Sequence, residues 1–105
     1  MYTRSFECTI KPEKKEEFSN AVSGELLPLL KKQAGFAELL CLVSSENPEH
    51  CFLITFWNSQ SDADNFYQHN SPMVDIFTPY VKGHKVEHFY VDTSTPLKAA
   101  SGKAA

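Results

Sequence analysis

The stretch Cys51–Pro72, CFLITFW and then NSQSDADNFYQHNSP, decides how the chain is read. Its first part is rich in β-branched and aromatic residues and is bounded by polar ones, which is the composition of a strand. Beyond Trp57 the pattern switches to helical spacing, so one strand hands the chain directly to one helix. The junction gathers side chains able to meet a small molecule: Trp57, Asn58, Phe66, Tyr67, His69 and Asn70. A pocket at this corner is the functional expectation these residues raise.

Upstream, Tyr2, Arg4, Phe6, Cys8 and Ile10 alternate with Thr3, Ser5, Glu7 and Thr9. A period of two marks a strand with one mostly apolar face. Pro12 suits the first helical position, and Glu13, Glu16 and Glu17 suit the positive end of the helix dipole. The helix they open carries Phe18, Val22, Leu26, Leu29 and Leu30 on one stripe, with a kink predicted near Gly24 because Pro28 lies just beyond it. Gly35 is placed to end that helix in a left-handed conformation. Phe36–Ser45 is apolar throughout Leu39–Val43, which predicts a strand covered on both faces. The short turn SENPEH makes it the antiparallel hairpin partner of Cys51–Trp57.

Downstream, Asn58, Ser59 or Ser61 can cap the next helix, whose stripe begins with Ala63, Phe66 and Tyr67. A break at Asn70-Ser71-Pro72 restarts it, with Met73, Val74, Phe77, Tyr80 and Val81 at helical spacing and Gly83 as its end. His84–Val91 is the last strand, and the aperiodic residues 93–105 form a tail to a domain at 1–92. The order strand, helix, strand, strand, helix, strand predicts an α+β, ferredoxin-like βαββαβ fold. Its four-stranded antiparallel sheet carries two helices on one face. The two strands that are apolar on both faces then expose a patch on the other, and a homodimer packing sheet against sheet would cover it.

Ten basic residues against thirteen acidic ones give a net charge of −3, which disfavours nucleic acid as a partner. The absence of a long apolar run or an apolar leader disfavours a membrane. Cys8, Cys41 and Cys51 are odd in number and lie in predicted strands without metal-ligand spacing, so they read as small buried apolar residues in the reducing cytoplasm, which predicts a cytoplasmic protein. His84 and His88 form no metal site by themselves, because four strand residues span about 13 Å. Arg4, on a mostly apolar strand face, is either a pocket cation or the partner of a carboxylate such as Glu38.

Lys11-Pro12 before a charged helix, then Leu29, Gly35-Phe36, Phe56-Trp57 with Ser59, and His69 ahead of Ser71-Pro72 resemble the antibiotic biosynthesis monooxygenase family. The resemblance covers roughly residues 1–92 and implies a dimeric α+β barrel. It further implies a monooxygenase that needs no cofactor and acts on a small aromatic, quinol-type substrate. Haem-degrading relatives carry an Asn on the first strand, a Trp on the second helix and a later His. Here those helix positions fall at Phe66 and at Ile76 or Thr78, with no Asn on the first strand, which disfavours haem degradation. A different haem mode through His69 stays open.

Oxidation without a cofactor needs a base and a dry pocket. His69 is the candidate catalytic base. Trp57, Phe66 and Tyr67 are candidate stacking walls, and Tyr80, Asn58 and Arg4 are candidate partners for substrate oxygens. The alternative roles are a capping or exposed His69 and core packing for Phe66, Phe77 and Tyr80. They correspond to an alternative function, a non-catalytic small-molecule-binding or interaction protein of the same fold.

Overall fold

The structure is a computed structural model that describes residues 1–67 and 72–90, and of His88 the backbone alone. Four strands, β1 (Tyr2–Ile10), β2 (Phe36–Val43), β3 (His50–Trp57) and β4 (Val81–Tyr90), form one antiparallel sheet in the order β2-β3-β1-β4. Helix α1 spans 12–31, and two further helices are α2 (Gln60–Tyr67) and α3 (Pro72–Phe77); the break predicted at Asn70-Ser71 and the tail 93–105 lie outside the described residues. The ferredoxin-like fold read from the sequence is the fold of the chain.

Helix α1 accommodates its proline by changing pitch. Pro12–Lys14 is a 3₁₀ turn, Lys15–Ala21 is α-helical, Val22–Leu26 is a π-helical turn, and Leu27–Lys31 returns to α. Within the wide turn the Leu27 N–H donates to the Val22 carbonyl, five residues back. Pro28 has no N–H and would crowd the carbonyl of Gly24 in a regular α-helix, so a widened turn is where that conflict is absorbed. The stripe survives the change: Phe18, Ala21, Leu26 and Leu30 are all buried.

The core lies between this helical layer and one face of the sheet. Phe6, Cys8 and Ile10 of β1 and Cys51, Leu53 and Trp57 of β3 point into it, as alternation dictates for the two central strands. Phe77 fills the middle, 4.9 Å from Phe18 and 5.9 Å from Phe6 between ring centroids.

Four sequence expectations change. Strand β2 is not covered on both faces: it is an edge and largely exposed, because the helices reach only part of one face and β3 alone pairs with it. A register shift between Phe36 and Glu38 turns Glu38 to the face shared with Phe56, opposite the helices, and so away from Arg4. The second helical stretch ends in a 3₁₀ turn at Thr78–Tyr80, and Gly83 lies inside β4 beside a second register shift rather than ending a helix. The last strand therefore starts at Val81, three residues earlier than the His84 predicted from the sequence.

Gly35 links α1 to β2 at φ 81°, the left-handed conformation expected of it. A Cβ there would also run into the Asp62 carboxylate, which accepts from Ser59 Oγ at 2.9 Å while Ser59 Oγ accepts the Asp62 N–H and caps α2. Gly35→Ala should thus lose backbone comfort and the cap together, about 2–3 kcal/mol in urea unfolding. Gly24→Ala, where an added Cβ meets nothing within 4 Å, should leave stability unchanged or raise it by about 0.5–1 kcal/mol.

Candidate functional site

Strands β1 and β3 place two polar residues, Arg4 and Thr55, side by side on the helix-facing surface, since the two are register partners. Both are buried, Arg4 at 6% exposure and Thr55 at 0%. A charge at that depth requires partners. Arg4 Nη2 donates to Asp64 Oδ1 of α2 at 2.6 Å, and the guanidinium carbon stands 4.3 Å above the ring centroid of Tyr67, one helical turn further on. Arg4 is thus paired with Asp64 rather than with Glu38.

Thr55 organises the hydroxyls. Trp57 Nε1 can only donate, and it donates to Thr55 Oγ1 at 2.9 Å. Thr55 Oγ1 lies 3.1 Å from the Tyr67 hydroxyl, which in turn donates to Met73 Sδ at 3.0 Å. Running the protons from Trp57 through Thr55 and Tyr67 to the sulfur satisfies each donor in the chain. Burial raises the Tyr67 phenol above its ordinary value, against the opposing pull of the Thr55 hydrogen bond and the Arg4 charge. The network leaves one gap. Among the described residues, Arg4 Nε is the buried side-chain nitrogen or oxygen without a hydrogen-bond partner.

A cavity of about 380 Å³ opens in the helical layer, between Leu29 of α1, Gln33 just beyond the end of that helix, Asn65 and Phe66 of α2, and Asp75 and Ile76 of α3. Its volume is in the lower part of the range of small-molecule sites, and its walls mix apolar side chains with a few polar ones, as such sites do. Phe66 is the shared wall. Its ring lies 5.5 Å from Trp57 and 4.9 Å from Tyr67, so the cavity and the Arg4 network border one aromatic cluster.

The residues singled out from the sequence separate into groups. Arg4, Trp57, Phe66 and Tyr67 come together. Asn58 is exposed and uses its backbone N–H to bond the Gly35 carbonyl at 2.8 Å. Tyr80 lies at the far end of the sheet: it precedes Val81, the partner of Ile10, and six strand residues, about 20 Å, separate Ile10 from Arg4. His69 and Asn70 lie outside the described residues. Thr55, Asp64, Asn65, Gln33 and Asp75 were not foreseen. The signal for Thr55 was present, since a polar residue at an inward position of a strand otherwise apolar is unusual. No group of three or more His, Cys, Asp or Glu is placed to hold a metal ion among the described residues.

The raised Tyr67 pKa has a measurable consequence. The folded state holds that proton to higher pH than the unfolded state, so the unfolded state is the one that releases protons first and stability falls as pH rises beyond about 10. Tyr67→Phe should cost about 1 kcal/mol at neutral pH and flatten that alkaline decline. Urea midpoints of both proteins across the alkaline range measure the difference.

Comparison with known proteins agrees with this architecture. The model of the family described as "Antibiotic biosynthesis monooxygenase" matches residues 1–75. The fold is similar to that of the structure described as "Putative antibiotic biosynthesis monooxygenase from Nitrosomonas europaea", with 17% identity, TM-score 0.73, and coverage of 89% of this chain and 100% of that one. It is similar also to one from Deinococcus radiodurans described in the same words, with 10% identity, TM-score 0.77, and coverage of 92% and 98%. A conserved protein from Methanosarcina mazei Go1 matches at 21% identity and TM-score 0.70, with coverage of 85% and 91%. A search of the curated proteins finds no match. At these identities the structural likeness speaks for the fold alone. Over most of its length, 1–75 of 105 residues, the sequence itself matches the family model, and the chain belongs to the antibiotic biosynthesis monooxygenase family.

Proposed function

We propose that the chain is a cofactor-independent monooxygenase of a small aromatic, quinol-type substrate, bound in the helical-layer cavity against Phe66. The observation that carries this reading is the unpartnered Arg4 Nε. A buried donor left without an acceptor costs about 1–3 kcal/mol, more when it is charged, and a ligand oxygen reaching it would recover that cost. The guanidinium is desolvated and fixed by Asp64, so it favours an oxygen that carries negative charge. A quinol or anthrone becomes reactive toward oxygen when it loses a phenolic proton. The protein's task is then to remove that proton, hold the anion and exclude water. In this reading Arg4 holds the anion, the Phe66, Tyr67 and Trp57 cluster supplies the aromatic wall, and His69 is the base.

A second reading, a non-catalytic small-molecule-binding protein, is supported by the packing of Trp57. The indole is wholly buried beneath Phe66 and Phe36, and Phe77 fills the centre of the core. A ligand would thus meet Phe66 first and reach Arg4 only after that ring turns.

Oxygen consumption distinguishes the two. Purified protein given a panel of hydroquinones and anthrones, with no cofactor added, should consume oxygen above the spontaneous rate. His69→Ala should lower the catalysed rate about 100-fold or more, and Arg4→Gln about tenfold. Quenching of Trp57 fluorescence by panel members without oxygen uptake would favour the binding protein.

We propose also that two copies pack sheet against sheet. The face away from the helices carries Leu40, Leu42, Phe52, Ile54, Phe56 and Phe89, with Leu42 at 47% and Phe89 at 45% exposure in the single chain. Burying such a face is worth about 25 cal/mol per Å². Sedimentation at micromolar concentration should give twice the chain mass, and Phe52→Lys with Ile54→Lys should shift it to one chain.

A further inference from the structure

At the opposite end of the sheet from Arg4, the three cysteines converge. Cys8 and Cys51 are register partners on β1 and β3, and both are buried. Cys41 of β2 pairs with Leu53 while Val43 pairs with Cys51, so Cys41 and Cys51 are diagonal neighbours on one face of the hairpin. Their sulfurs are 3.7 Å apart, and Cys41 is exposed. We propose that Cys41 and Cys51 form a redox-modification site, in which a peroxide converts the two thiols into a cross-strand disulfide.

The exposed Cys41 sulfur takes one oxygen from hydrogen peroxide, giving a sulfenic acid and one water. The Cys51 sulfur then attacks the Cys41 sulfur, the S–O bond breaks, and the hydroxyl leaves with the Cys51 proton as a second water. Two thiols are oxidised by two electrons, and one peroxide is reduced to two waters.

Geometry favours this pair over the alternative. Closing 3.7 Å to a bond of about 2.05 Å requires about 1.6 Å of approach. Strand β2 can supply part of it, since it is the sheet edge, bonded on one side, and Cys41 lies two residues from its end. Cys8 faces Cys51 from β1, but both of those strands are central and neither thiol is open to the oxidant. The hydrogen bond to Cys51 and partial burial raise the Cys41 thiol well above its ordinary range. Cys51 is raised as well: the Cys41 contact lowers it, but Cys8 and burial outweigh that. Both thiols are therefore protonated at neutral pH, and oxidation should speed up as pH rises.

Treating the reduced protein with hydrogen peroxide, then measuring intact mass and mapping its peptides, tests the site. The expected result is a loss of two hydrogens, one peptide pair joined through Cys41 and Cys51, and a melting temperature higher by several degrees, since the bond closes a chain loop. Cys8→Ser should form the same link at a rate within about twofold of the parent, and Cys41→Ser should form no link within the chain. A Cys8–Cys51 link, a Cys41–Cys41 link between chains, sulfinic or sulfonic acids alone, or unreacted thiols would each overturn the proposal. Because mapping of the unsubstituted protein decides among these outcomes, the test does not depend on the variants folding.

Discussion

A guanidinium buried under the second helix sets the arrangement around it. Charge leaves water at a cost that nearby groups must offset. Arg4 meets that demand with a carboxylate from Asp64 and an aromatic face from Tyr67, residues one helical turn apart on α2. These contacts fix where α2 sits over β1. They also fix its rotation, because Asp64 must reach the rim, where its side chain is 43% exposed, while Phe66 turns inward to Trp57. The hydroxyls of Thr55 and Tyr67 then carry the Trp57 N–H outward to Met73 at the start of α3. The cation and the hydroxyls beside it thereby link both central strands to both short helices, and the guanidinium leaves one donor unused.

Coverage of the sheet is uneven for a topological reason. Two helical layers' worth of chain, one before β2 and one after β3, pack over β1 and β3, the strands on which Phe6, Phe18, Phe77 and Trp57 meet. That placement leaves β2 at an edge although its residues are as apolar as those of β3. An apolar edge strand with exposed Leu42 and Val43 is an exposure that soluble folds normally cover. The composition of β2 is thus that of a covered strand, whereas its contacts within the chain are those of an edge.

What the sequence made legible was whatever depends on neighbours along the chain. Alternation in β1, the β-branched and aromatic run of β3, Pro12 at a helix start, the Gly35 turn and the irregularity near Gly24 all arise within a few residues, and each appears in the structure. Glu38 shows where that logic stops. Counting by twos from Phe36 puts Glu38 on the helix face, but the register shift between them reverses the parity of everything after it. The same shift carries Cys41 to the helix face, next to Cys51. Asp64 was hidden for another reason, since a carboxylate in the first turns of a helix has a sufficient local role at the dipole. Tyr80 was misplaced because helical spacing says nothing about which end of a sheet a helix reaches.

The two polar intrusions into this core occupy different layers of the same strands. Arg4 and Thr55 form one cross-strand pair, Phe6 and Leu53 the next on that face, and Cys8 and Cys51 the one after. The apolar layer of Phe6 and Leu53, both nearly inaccessible to water, separates them by about 7 Å on each side. A covalent change among the thiols would therefore reach the guanidinium through the backbone of β3, which is hydrogen bonded on both sides, and not through side-chain contact. Strands paired on both sides transmit little displacement, and edges move more readily. The effect of a Cys41–Cys51 bond should thus concentrate on β2, the strand whose apolar face remains uncovered within the chain.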